Sequence, residues 1–181
     1  MEIRAGSRDD VEQIAALHAD SWRTAYAGIM PDSYLSGSPL DAEKLALWHE
    51  RTAEPDPASG LFVAVGGREV AGFAYITPRP DGRLLLDNLH ARPGRTGSGI
   101  GSRLLRHTLA WAAAEHGGRD LYLEVLSANA RAIAFYERHG ATRTDERVCR
   151  FDQGFALPEV EYTWTAKALA AGASRVGART E

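Results

Sequence analysis

The spacing of apolar residues changes at Gly99, and this change constrains the fold more than any other feature of the chain. Upstream lie three runs with the alternation of β-strands, which glycine-containing turns separate: residues 61–65, 69–77 and 83–91. Downstream, apolar residues recur at helical spacing as far as Gly117-Gly118, where a helix is expected to stop. Another strand is predicted at 121–126. The helix between it and the strand at 83–91 is long enough to be a crossover connection between two parallel strands. The sequence therefore predicts an α/β (α+β) fold with a mixed central sheet.

The other segments complete the order β-α-α-β-β-β-α-β-α-β-β. A first helix follows Ser7 and Asp10, whose spacing is that of a capping box. The remaining predicted elements are a short strand at 1–5, helices at 41–51 and 129–139, and strands at 142–151 and 159–167. The end of the chain is rich in Ala, Gly and Ser. We therefore expect a single domain over 1–167 and a disordered tail over 168–181.

The composition argues against several classes of protein. The chain has 181 residues, a formal net charge of −3 and a single cysteine, Cys149. One cysteine cannot form an intramolecular disulfide or a cysteine-built zinc site, and we expect no metal. Without a basic block, nucleic acid is a poor partner. No stretch approaches the ~18 apolar residues of a membrane span, and the start lacks the apolar core of a signal peptide, so we expect a cytoplasmic protein.

A glycine-rich segment lies between the strand at 83–91 and the following helix. Its glycines are Gly94, Gly97, Gly99 and Gly101. Glycines at alternate positions let a ligand approach the backbone, and a helix start offers unpaired amides with about half a positive charge. This combination favours a diphosphate site over a surface turn. The segment lacks the Gly-Lys-Ser/Thr ending of a P-loop and the Gly-x-Gly-x-x-Gly of a dinucleotide site.

With this segment the chain resembles the GNAT superfamily of acyl-CoA-dependent N-acyltransferases. The family's pyrophosphate loop, Gln/Arg-x-x-Gly-x-Gly/Ala, is similar to residues 96–101, with Thr96 in place of the family's Gln or Arg. A second family motif, Asn-x-x-Ala-x-x-Phe-Tyr-x-x-x-Gly, is similar to residues 129–140. The resemblance covers essentially the whole chain and is to a bacterial stand-alone member of unassigned substrate. It implies that the strands at 83–91 and 121–126 splay apart and hold the cofactor between them.

The resemblance implies acetyl-CoA as the cosubstrate and assigns residues to it. The cofactor-binding set is Leu89, Ala91, Thr96, Gly97, Ser98, Gly99, Ile100, Gly101 and Asn129. Backbone groups near Leu89 and Ala91 would also polarise the acyl carbonyl. Tyr136, about two helical turns after Asn129 on the same face, would donate a proton to the departing thiolate. From helical spacing alone, Phe135 and Tyr136 would instead be interpreted as core aromatics.

An acceptor amine needs help to lose its proton. A reference pKa near 10.4 leaves about one alkylamine molecule in 2500 neutral at pH 7, a penalty of roughly 4 to 5 kcal/mol. Asp87 is the first candidate for a general base, acting through water, and Asn88 and His90 are further polar residues on the same strand. By strand alternation, Asp87 and His90 face opposite sides unless a bulge intervenes. A structural role for Asp87, bonded to a neighbouring turn, is an equal alternative.

The acceptor is expected near the first helices. Trp22, Tyr26 and Asp32 supply aromatic rings and a carboxylate, which suit a cationic amine, although Trp22 and Tyr26 at i,i+4 would also serve as packing residues. The prediction is an N-acetyltransferase that moves acetyl to a primary amine of a small molecule or peptide by direct attack. The alternative is a CoA-binding sensor or interaction module without turnover, with a nucleotide-binding protein more distant. By the resemblance, homodimers are common for this fold.

Overall fold

A computed structural model of the chain describes residues 1–94 and 98–177, with the side chains of Ser38 and of 173–177 excluded. Its strands form a sheet in the order β1-β2-β3-β4-β5-β7-β6. The strands are β1 (Glu2–Ala5), β2 (Gly60–Gly66), β3 (Glu69–Pro78), β4 (Leu84–Ala91), β5 (Leu121–Leu126), β6 (Thr142–Arg150) and β7 (Ala156–Trp164). The helices are α1 (Val11–Ala25), α2 (Asp32–Leu35), α3 (Ser38–Ala53), α4 (Ile100–Glu115), α5 (Ala130–Arg138) and α6 (Ala166–Gly177). The predicted mixed sheet is confirmed, and the observed elements follow the predicted order with α2 and α6 in addition.

The chain divides into two compact units. The first comprises Met1–Ile76 and Asn88–Thr108, and the second comprises Thr77–Asp87 and Leu109–Glu181. In the first unit, β1 pairs antiparallel with β2, and β2 with β3. Apolar residues of α1, α3 and these strands form its core: Val11, Ile14, Leu17, Trp48, Val63 and Phe73. The amphipathic helices α1 and α3 thus bury their apolar faces against the antiparallel strands of this unit.

The predicted capping box opens the first helical segment. Ser7 donates its backbone N–H to Asp10 Oδ2 at 2.9 Å, and the Arg4 guanidinium donates to both Asp10 oxygens at 2.8 Å. The hydrogen bonds from Arg4 lower the pKa of Asp10, although partial burial opposes the shift. A 3₁₀ turn over Arg8–Asp10 then leads into α1. The carboxylate fixes the position at which α1 leaves β1.

In the second unit, β5 pairs antiparallel with β7, and β7 with the edge strand β6. The parallel register of β4 and β5 joins Leu84 to Leu121 and Leu85 to Tyr122, at the start of both strands. This placement agrees with strands that separate toward their carboxyl ends. The last strand begins earlier than the predicted 159, because Ala156 already pairs with Arg150 of β6; the Phe151 and Phe155 rings stack 4.5 Å apart in the turn between them.

The end of the chain differs from its predicted disorder. The expected tail covered 168–181, whereas α6 continues to Gly177. Leu169 is buried, with 5% of its surface exposed, and its N–H donates to the Thr165 carbonyl at 3.0 Å. Alanine has the highest helix propensity, and one buried leucine anchors this alanine-rich segment, so it folds as a helix. None of the helices within the described ranges combines the length and hydropathy that crossing a bilayer requires.

Candidate active site

The glycine-rich segment leads into α4. Gly94 and Gly99 have φ values of 82° and 81°, which favour glycine because a side chain would be strained there. Gly99 caps the helix, since its carbonyl accepts the Arg103 N–H at 3.0 Å. Ser98 and Gly99 are exposed and Ile100 is buried. The first N–H groups of a helix have no intrahelical acceptor, so α4 presents donors at this point.

Of the loop residues that the resemblance assigns to the cofactor, Thr96 and Gly97 lie outside the described residues, as does Arg95. Ser98, Gly99, Ile100 and Gly101 lie at the start of α4. Close packing holds this helix start against the sheet. A Cβ at Gly72 of β3 would lie 2.8 Å from both the His90 carbonyl oxygen and an Ile100 methyl carbon. Glycine at 72 therefore lets the end of β4 and the start of α4 approach β3.

Aromatic rings gather between α1, α2, α3 and the strands of the first unit. This aromatic–histidine cluster consists of His18, Trp22, Tyr26, Tyr34, Trp48, Phe73, Tyr75 and His90. His18 lies at its centre, with ring centroids of Trp22 and Phe73 at 5.6 Å and of His90 at 4.7 Å. The Trp22 and Tyr26 rings meet edge to face at 5.2 Å.

Hydrogen bonds fix both histidines of the cluster. Trp48 Nε1–H donates to His18 Nδ1 at 3.1 Å. His90 Nδ1 lies 2.8 Å from the Ser21 hydroxyl oxygen. Burial lowers the pKa of His18 well below its ordinary value, and the nearby positive charges add to this effect. Burial, and then Lys44, lower the pKa of His90 to about 3. Both rings are therefore neutral at physiological pH.

Two cations of α3 cover aromatic faces of the cluster. Lys44 Nζ lies 3.5 Å from the centre of the Trp22 ring and 2.8 Å from Glu43 Oε1. The Arg51 guanidinium carbon lies 4.5 Å from the centre of the Tyr75 ring and 5.1 Å from that of Trp48. These distances are those of cation–π contacts, which are stronger where water is excluded.

In the second unit, Asn129 caps α5. Its side-chain oxygen accepts the Ala132 N–H at 3.2 Å. Tyr136, seven residues further on, is half-buried, and its ring contacts Phe135 at 5.3 Å and Trp164 at 6.2 Å between centroids. The Tyr136 ring is thus held by edge-to-face packing, while the Asn129 side chain orders the first turn of the helix.

The family model described as "Acetyltransferase (GNAT) family" matches residues 14–141, which is more than half of the chain. The chain is a member of the GNAT family of acetyltransferases. The sequence-based resemblance to this family is therefore confirmed.

Named relatives of this GNAT protein are acetyltransferases of bacteria. A probable N-acetyltransferase of Mycobacterium tuberculosis is 31% identical over 76% of this chain and 78% of its own length. An uncharacterized N-acetyltransferase of Bacillus subtilis is 30% identical over 90% of this chain and 91% of its own length. Streptothricin acetyltransferase of Streptomyces lavendulae is 41% identical, but over 47% of this chain and 46% of its own length. The chain thus spans less than half of that enzyme in the alignment.

Solved structures agree with the GNAT fold. The PaiA N-acetyltransferase of Thermoplasma acidophilum, crystallised in complex with coenzyme A, superimposes with a TM-score of 0.65. It shares 23% sequence identity, over 87% of this chain and 96% of that chain.

The predicted acceptor residues of this GNAT protein all lie in the first unit. Trp22 and Tyr26 meet in the aromatic–histidine cluster, while Asp32 is exposed in the first turn of α2 and its carbonyl accepts the Ser36 hydroxyl at 2.6 Å. On β4, His90 joins the cluster, and Asp87 is half-buried in the second unit. The assignment of Asp87 as a base stays a prediction.

Sequence reasoning missed the polar residues that contact the cluster: Ser21, Lys44 and Arg51. Lys44 and Trp48 stand four residues apart on α3, as do His18 and Trp22 on α1, so each pair shares a helix face. This spacing was the available signal. It assigns residues to a face but does not say that the faces of α1 and α3 pack together.

Proposed function

We propose that the protein is an acetyl-CoA-dependent N-acetyltransferase that acetylates a primary amine of a small molecule or peptide by direct attack. The observation that carries this proposal is membership of the GNAT family, with the family model matching residues 14–141. That range includes both the glycine-rich segment and the Asn129–Tyr136 motif. Because it also includes parts of both compact units, we further propose that residues 1–167 act as one acetyltransferase domain.

The start of α4 is the proposed site for the CoA pyrophosphate. Exposed Ser98 and Gly99, followed by the first amides of a 16-residue helix, offer backbone donors and the positive end of the helix dipole. Thr96, Gly97 and Gly101 complete the proposed loop. Leu89 and Ala91, both half-buried at the end of β4, would offer backbone groups to the pantetheine arm. Asn129 would contact the cofactor near the start of α5.

In the proposed reaction, the neutral amine nitrogen attacks the acetyl carbonyl carbon, the new C–N bond forms and the C–S bond breaks. The amine's proton leaves through water to a base, for which Asp87 remains the proposed residue. Tyr136 donates its hydroxyl proton to the departing thiolate, a role typically worth about 100- to 10,000-fold in rate. Trp22, Tyr26 and Asp32 are the proposed acceptor-binding residues.

The test is thiol release from acetyl-CoA across a panel of primary amines, with the acetylated product identified by mass. We expect one thiol released for each amine acetylated. Streptothricin belongs in the panel, because the relative named for acetylating it is 41% identical over its aligned part. Tight CoA binding without release for any amine would favour the sensor alternative, and tighter binding of ATP or NAD than of CoA would favour a nucleotide site.

A further inference from the structure

A buried ammonium group already contacts the aromatic–histidine cluster. The Lys44 side chain is 4% exposed, and its Nζ lies over the face of Trp22 at 3.5 Å from the ring centre. An aromatic face that binds one cation at this distance has no room for a second on the same side. The sequence predicts that Trp22 binds a cationic substrate, but Lys44 of the protein itself already occupies this face of the ring.

The carboxylate beside Lys44 is also engaged. Glu43 Oε1 accepts from Lys44 at 2.8 Å, and the Tyr34 hydroxyl donates to both Glu43 oxygens at 3.0 and 3.1 Å. Burial and then Glu43 raise the pKa of Tyr34, so the hydroxyl keeps its proton. A substrate ammonium entering here would be repelled by Lys44 and would have to displace a bond to Glu43.

His18 contributes a donor that lacks a partner within the described part of the chain. Since Nδ1 accepts from Trp48, we assign the hydrogen of the neutral ring to Nε2. Nε2 is buried without a hydrogen-bond partner among the described residues, and His18 is 1% exposed. A buried donor left without an acceptor is costly, so this atom suits a ligand group that accepts a hydrogen bond.

We propose that Lys44 determines acceptor specificity in this cluster: it occupies the face of Trp22 and excludes a second cation, so that the acceptor presents an uncharged or anionic group that accepts a hydrogen bond from His18 Nε2. The proposal rests on the proposed function, because it names the class of amine that the same site takes. The favoured acceptor is thus an amino acid or amino amide, in which the reactive amine is the only cation. A diamine or polyamine is disfavoured.

Isothermal titration with three matched ligands tests the proposal on the full chain, in the presence of CoA. The ligands are a four-carbon diamine, amino acid and amino amide, each with its two functional groups at opposite ends. For the wild-type protein, we expect the amino acid or the amide to bind more tightly than the diamine. In Lys44→Met, the ratio of dissociation constants should shift by about tenfold or more toward the diamine, because the face of Trp22 and the Glu43 carboxylate become accessible to its second ammonium.

Two control variants separate charge from packing. Lys44→Arg keeps a cation on Trp22 and should retain the wild-type preference. Lys167→Met removes the other lysine of the chain, which is exposed, and should leave the ratio unchanged. The melting temperature of each variant reports whether it has folded, and Lys44→Gln replaces Lys44→Met if the latter unfolds.

A wild-type preference for the diamine, or a ratio that changes by less than about twofold in a folded Lys44→Met, would overturn the proposal, as would the absence of binding of all three ligands to every variant. Thiol release from acetyl-CoA is measured separately, with the same variants and ligands. If the ligands bind with the expected ratios but no thiol is released, the proposed acetyl transfer has failed while the binding specificity stands. If thiol is released with an unchanged ratio, only the role of Lys44 has failed.

Discussion

The aromatic–histidine cluster of the first unit and the β5–β7 surface of the second differ in how their titratable groups are stabilised. In the cluster, burial keeps His18 and His90 neutral, and a lysine covers a ring. On the β5–β7 surface, arginines from neighbouring segments form ion pairs with carboxylates of β7. Arg83 contacts Glu161 at 2.8 Å, and Arg147 contacts Glu159 at 2.9 Å. This paired-charge surface is defined by Arg83, Arg147, Glu159 and Glu161.

The pKa shifts on the paired-charge surface follow from this pairing. The hydrogen bond to Glu161 raises the pKa of Arg83, and hydrogen bonds from Arg83 and Thr144 lower that of Glu161 although burial opposes the shift. Glu159 differs, because burial and Glu124 raise its pKa despite Arg147. Glu161 thus has its donors within the protein, whereas His18 in the cluster keeps a donor without a partner among the described residues. The Glu161 carboxylate therefore stabilises the sheet, whereas His18 Nε2 is available to donate to a ligand.

The largest expected effect on stability comes from removing the indole that supports the cluster. Trp48 is fully buried and contacts His18, Phe73 and Tyr75. Trp48→Ala should lower the free energy of unfolding by about 3–5 kcal/mol, since it creates a cavity and leaves His18 Nδ1 without its donor. Chemical denaturation measures the loss. The half-buried Trp111 offers a matched control, and Trp111→Ala should cost less; equal losses would contradict the central place of Trp48.

Acid should weaken the cluster before it affects the paired-charge surface. His18 and His90 have lowered pKa values in the folded protein, so the unfolded chain binds more protons below about pH 6.5. Their contribution is fully present above that pH and falls as the pH drops toward the folded pKa, by up to about 1.4 kcal/mol per pH unit for each histidine. Denaturation at a series of pH values from about 6.5 to 5 measures the slope.

Two variants show whether the cluster or the paired-charge surface causes this dependence of the free energy of unfolding on pH. His18→Gln keeps an acceptor for Trp48 but cannot gain a proton, so its slope between about pH 6.5 and 5 should be shallower than that of the wild type. Glu161→Gln should retain the wild-type slope, because a lowered carboxylate pKa matters only at more acidic pH. An unaltered slope in His18→Gln would show that His18 is not held neutral by the fold.

A smaller effect is expected from breaking the paired-charge surface. Glu161 accepts from Arg83 at 2.8 Å and from Thr144 at 2.7 Å. Glu161→Gln should lower the free energy of unfolding by about 1–3 kcal/mol, because one oxygen acceptor is lost and Arg83 keeps its charge. The exposed Arg143–Glu146 pair is the control, and Glu146→Gln should change stability by less than about 1 kcal/mol. Equal losses in urea titrations would contradict the structural role given to Glu161.

The sequence predicted the strands and helices well because their ends carry local signals. Gly99, the Ser7–Asp10 box and the Gly117-Gly118 pair each mark a boundary within a few residues of the chain. The helix α6 was not predicted, because its anchor is the single Leu169, which no periodic pattern accompanies. The same contrast applies to the site. The motif at 129–140 makes Asn129 and Tyr136 candidates, and their roles stay predictions. The cation on Trp22 depends on α1 packing against α3, which spacing along one helix does not encode.

Protonation of the leaving thiolate by Tyr136 is the central step of the proposed reaction, and one comparison tests it most directly. Turnover and CoA affinity are measured side by side for the wild type and Tyr136→Phe, which keeps the ring that packs on Phe135 and Trp164. We expect turnover in Tyr136→Phe to fall about 100- to 10,000-fold while the CoA dissociation constant changes little. Unchanged turnover in Tyr136→Phe would contradict it.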